Sequence, residues 1–238
     1  MTFNNARSTA EPVFNSVYDH FAPSLSEVAT IPLHSTNLKA AIAARKSVAV
    51  SIIDDVMTDK ITLHGLGFVQ VQLEGNQRLH VWHPELPRRA CFESSSIHDH
   101  RFDFISRVLI GTQCNIEYRL DPSPGGGYML YLHEGARTAC GGRPWMPDGR
   151  VHMTEINRES IAAGVTYRQQ AYDFHRTEPG GDGKAATIMQ KLGEYSRGAH
   201  SSCLVGVQPD DQFDRYQWSP AQLWEIVADV MLGQRVTP

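Results

Sequence analysis

Between residues 61 and 195 the chain runs through short stretches in which apolar and polar residues alternate, each closed by Gly, Pro, Asp or Asn. This limits the fold more than any other feature. A period of two turns one face of each stretch toward a core and the other toward solvent, as a half-buried strand requires. "LGFVQVQLEGNQRLHVWHP" holds two such runs around a Glu-Gly-Asn turn, which predicts a hairpin with strands near 67–73 and 78–83. Further strand-like runs are "FDFISRVLIG", "QCNIEYRL", "GYMLYLHE", "RVHMTEIN", "GVTYRQQAYDF" and "ATIMQKLG". So many short strands, with little helical periodicity between them, predict a mainly β, antiparallel sandwich or barrel. The Gly/Pro-rich segments 121–127 and 139–150 are expected to be loops, the second bordering a cavity mouth.

The two ends read differently. "STNLKAAIAARKSVAVSIIDDVMTDK" predicts a helix capped near Ser35 or Thr36, with Leu38, Ile42, Ile52, Ile53 and Val56 along one side. A weaker helix is expected over Val13 to Val28, broken by Pro23. At the other end "SPAQLWEIVADVML" offers Ser219 as N-cap, Pro220 in the first turn, and a stripe of Leu223, Ile226, Val227, Val230 and Met231. The expected organisation is an N-terminal helical extension over 1–60, a β-barrel over 61–208, and a C-terminal helix packed on the barrel over 209–238.

An apolar share of 41% in 238 residues is enough for one normal core. The 22 Lys+Arg against 26 Asp+Glu give a formal charge of −4 with neither sign gathered into a block, which speaks against a nucleic-acid surface. "MTFNNARSTAEPVF" lacks the charged start and apolar run of a secretory signal, and no stretch approaches the ~18 apolar residues of a membrane span. A cytoplasmic protein with a small-molecule partner, engaging neither nucleic acid nor membrane, is the expectation. Cys91, Cys114, Cys140 and Cys203 form no Cys-x-x-Cys pair, so reduced thiols are expected rather than a zinc ribbon or a disulfide framework.

The chemistry concentrates in "IHDHRFDFISRVLIG". On a strand His98 and His100 share a face, while Asp99 and Arg101 take the other. Two imidazoles on one face are a chelate in waiting; the plainer alternative is a pair of partly exposed strand histidines near a turn. A third histidine, His175, ends a strand-like run in "AAGVTYRQQAYDFHR". In an antiparallel barrel, strands distant in sequence can be neighbours in space.

These residues resemble the cupin superfamily. "HDHRFDFISRVLIG" is similar to its first motif, a His-x-His followed by a strand ending in glycine, here Gly111, and "AAGVTYRQQAYDFHR" is similar to its second. The resemblance covers roughly residues 62–195 and implies a double-stranded β-helix, or jelly-roll barrel, with His98, His100 and His175 as metal ligands. Many cupins carry a glutamate as fourth ligand, but Phe104 stands at that place. A three-histidine site resembles the thiol dioxygenase branch, whose second motif also runs His-Arg. The Cys–Tyr crosslink frequent in that branch has no counterpart in "RFDFISRVLIG", and Cys114 falls on the next strand, so a thiol substrate is not carried over. The motif is similar, too, to uncharacterised bacterial and phage cupins.

The resemblance implies a mononuclear metal-dependent enzyme acting on a small anionic or chelating molecule. By family analogy the first reading is an Fe(II)-dependent dioxygenase using O₂. Zn, Mn or Ni suit three imidazoles as well, for isomerase, lyase or hydrolase chemistry with the metal as Lewis acid, and a non-catalytic ligand-binding barrel is a third reading. The resemblance also implies a homodimer through an exposed sheet edge.

Around the site, a regular strand would put Tyr167, Gln169, Ala171 and Asp173 on the face of His175, making Tyr167 and Gln169 the catalytic candidates; a bulge would invert that. Phe102 and Phe104 are expected to line the pocket beside the histidine pair. Asp99 and Asp103 fall on the outer face, as solvated charges or as supports for a ligand imidazole. Arg176 is expected to pair with Glu178, and Arg143 and Arg150 to be surface residues. Glu117 is placed on the following strand with its register open. His80 and His83 are expected in structural or rim positions, and His64, His133, His152 and His200 show no partner spacing.

Overall fold

The computed structural model describes residues 60–73, 75–210 and 212–233. The expected helices over 13–28 and from Ser35 lie outside these residues.

Alternation becomes strands throughout this region. They are β1 (Ile61–His64), β2 (Phe68–Gln72), β3 (Gln77–Trp82), β4 (Phe102–Ile110), β5 (Thr112–Pro122), β6 (Tyr128–His133), β7 (Met146–Ala162), β8 (Thr166–Gln169), β9 (Phe174–Pro179), β10 (Ala185–Glu194) and β11 (Ala199–Leu204). One sheet has the order β1-β2-β3-β10-β4-β8 and the other β11-β6-β7-β5-β9, with every pairing antiparallel. Together they form the mainly β, antiparallel two-sheet sandwich that the alternation predicts.

The hairpin at 67–83 forms as expected, and its alternation divides the sheet cleanly. Val69, Val71, Leu79 and Val81 are fully buried on one face, while Phe68, Gln70, Arg78, His80 and Trp82 line a cavity on the other. The outer face is covered by α1 (Pro220–Leu232), which packs against β1, β2, β3 and β10. Ser219 caps it, accepting from the backbone N–H of Gln222, whose side chain answers at the Ser219 N–H. Its stripe of Leu223, Ile226, Val227, Val230 and Met231 is buried. Among the described residues no helix is long and apolar enough to cross a membrane.

Gly111 carries the chain from β4 in one sheet to β5 in the other. Its φ is +73°, and a Cβ there would sit 2.3 Å from the Lys184 carbonyl oxygen, so both backbone conformation and space demand glycine.

Three expectations are corrected. β7 begins at Met146, inside the segment expected to be loop, because its pairing with β6 carries the ladder past Gly149. β1 and β11 are strands not foreseen: β1 has only four residues, and the serine-rich AHSSCL of β11 carries no apolar alternation although its four central residues are buried. The run "GVTYRQQAYDF" is broken into β8 and β9, in different sheets, by a turn in which Tyr172 takes a φ of +65°.

Candidate metal centre

The segment holding His98 precedes β4 and is fixed between the two edge strands of the five-stranded sheet. His98 exchanges both backbone hydrogen bonds with His175 of β9, at 2.9 Å each. On its other side Asp99 N–H donates to the His200 carbonyl and Ser202 N–H to that of Ile97, at 3.0 and 2.9 Å. Pairing with both β9 and β11 brings the first and second motifs into register. Residues 77 positions apart in sequence thus become direct cross-strand neighbours.

The three imidazoles converge. Ring centroids are 4.8 Å apart for His98 and His100, 4.6 Å for His98 and His175, and 5.1 Å for His100 and His175. One ring nitrogen from each lies within 4.8 Å of the other two, close enough to share one ion. Among the described residues no carboxylate joins the group.

Two of the rings are held in the ligating tautomer. The Nδ1 of His98 is 2.8 Å from the Ser96 carbonyl oxygen, and that of His175 is 3.1 Å from the Asp173 oxygen. A carbonyl only accepts, so each Nδ1 carries the proton and each Nε2 presents its lone pair. Burial lowers the pKa of all three: His98 by desolvation, His100 by desolvation and then by His98 and His175, and His175 to about 3 by desolvation and then His98. Neutral imidazole is the form a metal binds.

Asp99, expected on an outer face, is 1% exposed. Its carboxylate accepts from the His200 backbone N–H and stands 2.9 Å from His200 Nδ1, whose Nε2 in turn faces Asp148 at 3.3 Å. Seated between two candidate ligands, it ties their peptide to β11. Asp103 likewise accepts from Ala171 N–H at 2.8 Å and Tyr195 O–H at 3.1 Å. Arg176 pairs with Glu178 at 3.2 Å, as expected.

The cavity beside the histidines is about 70 Å³, room for a few water molecules or a small ligand. Phe102 and Phe104 line it as foreseen, with ring centroids 4.9 and 5.2 Å from His100. Tyr167 also lines it and donates its hydroxyl to Gln113 Oε1 at 3.0 Å; burial pushes that hydroxyl up to about 12. Gln169 is buried behind the cavity wall, where its Oε1 accepts from Asn115 at 3.4 Å. Glu117 faces His175 across the β5–β9 ladder but accepts from Asn157 and does not line the cavity.

Two further histidines join from the opposite sheet. His64 stacks on Phe68, with centroids 4.3 Å apart and planes 6° from parallel, and its Nδ1 accepts from Leu66 N–H. His80 projects from β3 into the same cavity; burial and then the Arg78 charge lower it to about 3. Sequence spacing did not mark either one. The alternation Arg78, His80, Trp82 was the available signal: three polar or amphipathic residues sharing one face of a strand whose other face is apolar.

No known protein family matches the sequence, and no curated protein matches it. Among solved structures, hydroquinone 1,2-dioxygenase from Sphingomonas sp. TTNP3 with 4-hydroxybenzoate bound is similar at 18% identity and a TM-score of 0.28. The match covers 53% of this chain and 65% of that one. At that distance it carries no argument about this chain, in which a two-sheet β-sandwich holds three convergent histidines that could bind a metal ion.

Proposed function

We propose that the protein is a mononuclear metal-dependent enzyme acting on a small anionic or chelating molecule, with Fe(II)-dependent dioxygenation as its reaction. The observation supporting this reading is the ligand set: three buried or half-buried imidazoles, two of them locked with Nε2 free, and no carboxylate among them. His98, His100 and His175 would hold the ion. Because all three are neutral, they leave a dication's charge uncompensated for an anionic or chelating substrate to meet. A ferrous ion there supplies the one-electron chemistry that dioxygen requires.

The chain's own residues prepare the site. Phe102 and Phe104 pack against His100 and keep water from that side. Tyr167, with its raised pKa, keeps its proton at neutral pH and is a hydrogen-bond donor in the cavity wall. Gln169 and Asn115 bond each other behind the cavity wall, placing Gln169 in a positioning role rather than against substrate.

Nitric oxide, a paramagnetic stand-in for dioxygen, tests the reading. Fe(II)-loaded protein is expected to give an iron–nitrosyl electron paramagnetic resonance signal that His175→Ala lacks. Iron that binds stoichiometrically but gives no signal would exclude open positions for dioxygen and turn the assignment to Lewis-acid chemistry with Zn, Mn or Ni.

A further inference from the structure

The wall opposite the histidines carries a cation and two polar atoms whose needs the described residues do not meet. Arg78 lines the cavity from β3 with its guanidinium carbon 5.8 Å from the Phe102 ring centroid. His100 is 4.9 Å from the same ring, between centroids, and Lys191 Nζ lies 4.4 Å over it. Phe102 thus contacts both the guanidinium and one of the candidate metal ligands. Beside Arg78 on the same face of β3, His80 Nε2 is buried with no hydrogen-bond partner among the described residues. So is Oγ1 of Thr187, directly opposite His80 in the β3–β10 ladder. Buried polar atoms are nearly always paired, and two adjacent orphans on a cavity wall are what a missing ligand leaves behind.

The charge around Arg78 is mostly positive. Among the described residues no carboxylate forms an ion pair with it. The carboxylate whose charge it feels, Glu194, is already shared by Arg101 at 2.5 Å and Lys191 at 3.2 Å. Arg137 and Arg215 add their own fields, and among the described residues they bond neutral acceptors, the Gly141 carbonyl and the Thr62 hydroxyl. Burial and then Arg137 lower the pKa of Arg78, and Glu194 offsets them only in part. In a chain of net charge −4 this concentration is local to the cavity.

We infer that Arg78 anchors the oxyanion head group of the substrate, a carboxylate or a group of the same chemistry, while an apolar body lies along Phe102 toward the three histidines. The planar fork of a guanidinium suits two oxygens at once, which a lysine at that place would not match. Thr187 and His80 are placed to bond the head group beside it. The inference deepens the metal-enzyme reading and rests on it only for the direction in which the substrate points.

Calorimetric titration of the full chain, metal-free and Co(II)-loaded, with benzoate, phenylphosphonate and uncharged benzamide tests this. Benzoate or phenylphosphonate is expected to bind the wild type, and Arg78→Gln to weaken it tenfold or more. Arg78→Lys should weaken it less, and benzamide should bind poorly to all three proteins. Preference for phenylphosphonate over benzoate would identify a phosphate-like head group, the reverse a carboxylate. The inference is overturned if neither anion binds, if benzamide binds as well as benzoate, or if both Arg78 variants keep wild-type affinity. Should Arg78→Gln fail to fold, unchanged affinity in Arg78→Lys overturns the bidentate anchor by itself. Cobalt absorption, read in the same samples, separates the two readings: loss of metal binding with anion binding intact sinks the metal centre alone, and the converse sinks the anchor alone.

Discussion

At the scale of single residues, the site depends on what lies behind the histidines as much as on the histidines. Asp99 separates His98 from His100 and is bound to His200 through both the backbone and the ring. Asp99→Asn keeps the volume but removes the charge that attracts the His200 N–H groups, so the peptide carrying both imidazoles keeps its backbone bonds to β11 and loses its charged side-chain tie. Metal affinity is expected to fall about tenfold or more, read by competitive Co(II) titration, with secondary structure retained. His98, His100 and His175 were legible because motif spacing is a local property. The burial of Asp99 was not, since period-two alternation assigns it to an outer face and does not reveal that β11 covers that face. His64 escaped for the same reason, and of His80 and His83 only the former takes the route from a neighbouring strand into the pocket that the sequence left open to one of them.

At the scale of elements, the break between β8 and β9 shows what alternation cannot reveal. Gln170, Ala171, Tyr172 and Asp173 contain neither glycine nor proline, yet they turn, because the turn is held from outside. Ala171 N–H donates to Asp103, Tyr172 N–H to the His100 carbonyl, and Arg197 lies 4.3 Å over the Tyr172 ring. Those partners recompense a left-handed conformation that tyrosine alone disfavours. The C-terminal helix was readable throughout, from cap to stripe, because its signals are all local. Its anchor was not: Asp229 on its buried side receives His83 Nε2 at 2.9 Å and Lys184 Nζ at 2.8 Å. His83 Nδ1 accepts from Glu85 N–H, so the Nε2 carries the proton given to Asp229.

Asp229→Asn is expected to cost about 2 kcal/mol at neutral pH, measured by denaturant unfolding, since two donors lose a charged acceptor. Burial alone would raise the Asp229 carboxyl, but Lys184 and His83 outweigh it and hold the pKa below the ordinary aspartate value of 3.8. A carboxyl depressed by folding stabilises the native state above its unfolded pKa and loses that contribution as pH falls through the folded one. The gap between wild type and variant should therefore stay constant at neutral pH and close only in acid, below the usual aspartate range.

At the scale of the whole molecule, two antiparallel sheets enclose one cavity and supply it with different chemistry. The five-stranded sheet, through β9 and the segment it pairs with, presents the three histidines. The six-stranded sheet, with its outer face sealed by α1, presents aromatic rings, two neutral imidazoles and Arg78. Fold class and the first of these surfaces follow from alternation and motif; the second needed the register between strands far apart in the chain. We propose that the histidine surface holds a redox metal. Elemental analysis of protein purified without a metal-affinity tag, joined to anaerobic Fe(II) titration of the wild type and of the His98→Ala, His175→Ala double variant, tests it directly. Near-stoichiometric iron is expected in the wild type and none above background in the double variant; equal metal content in the two proteins would rule out this metal site.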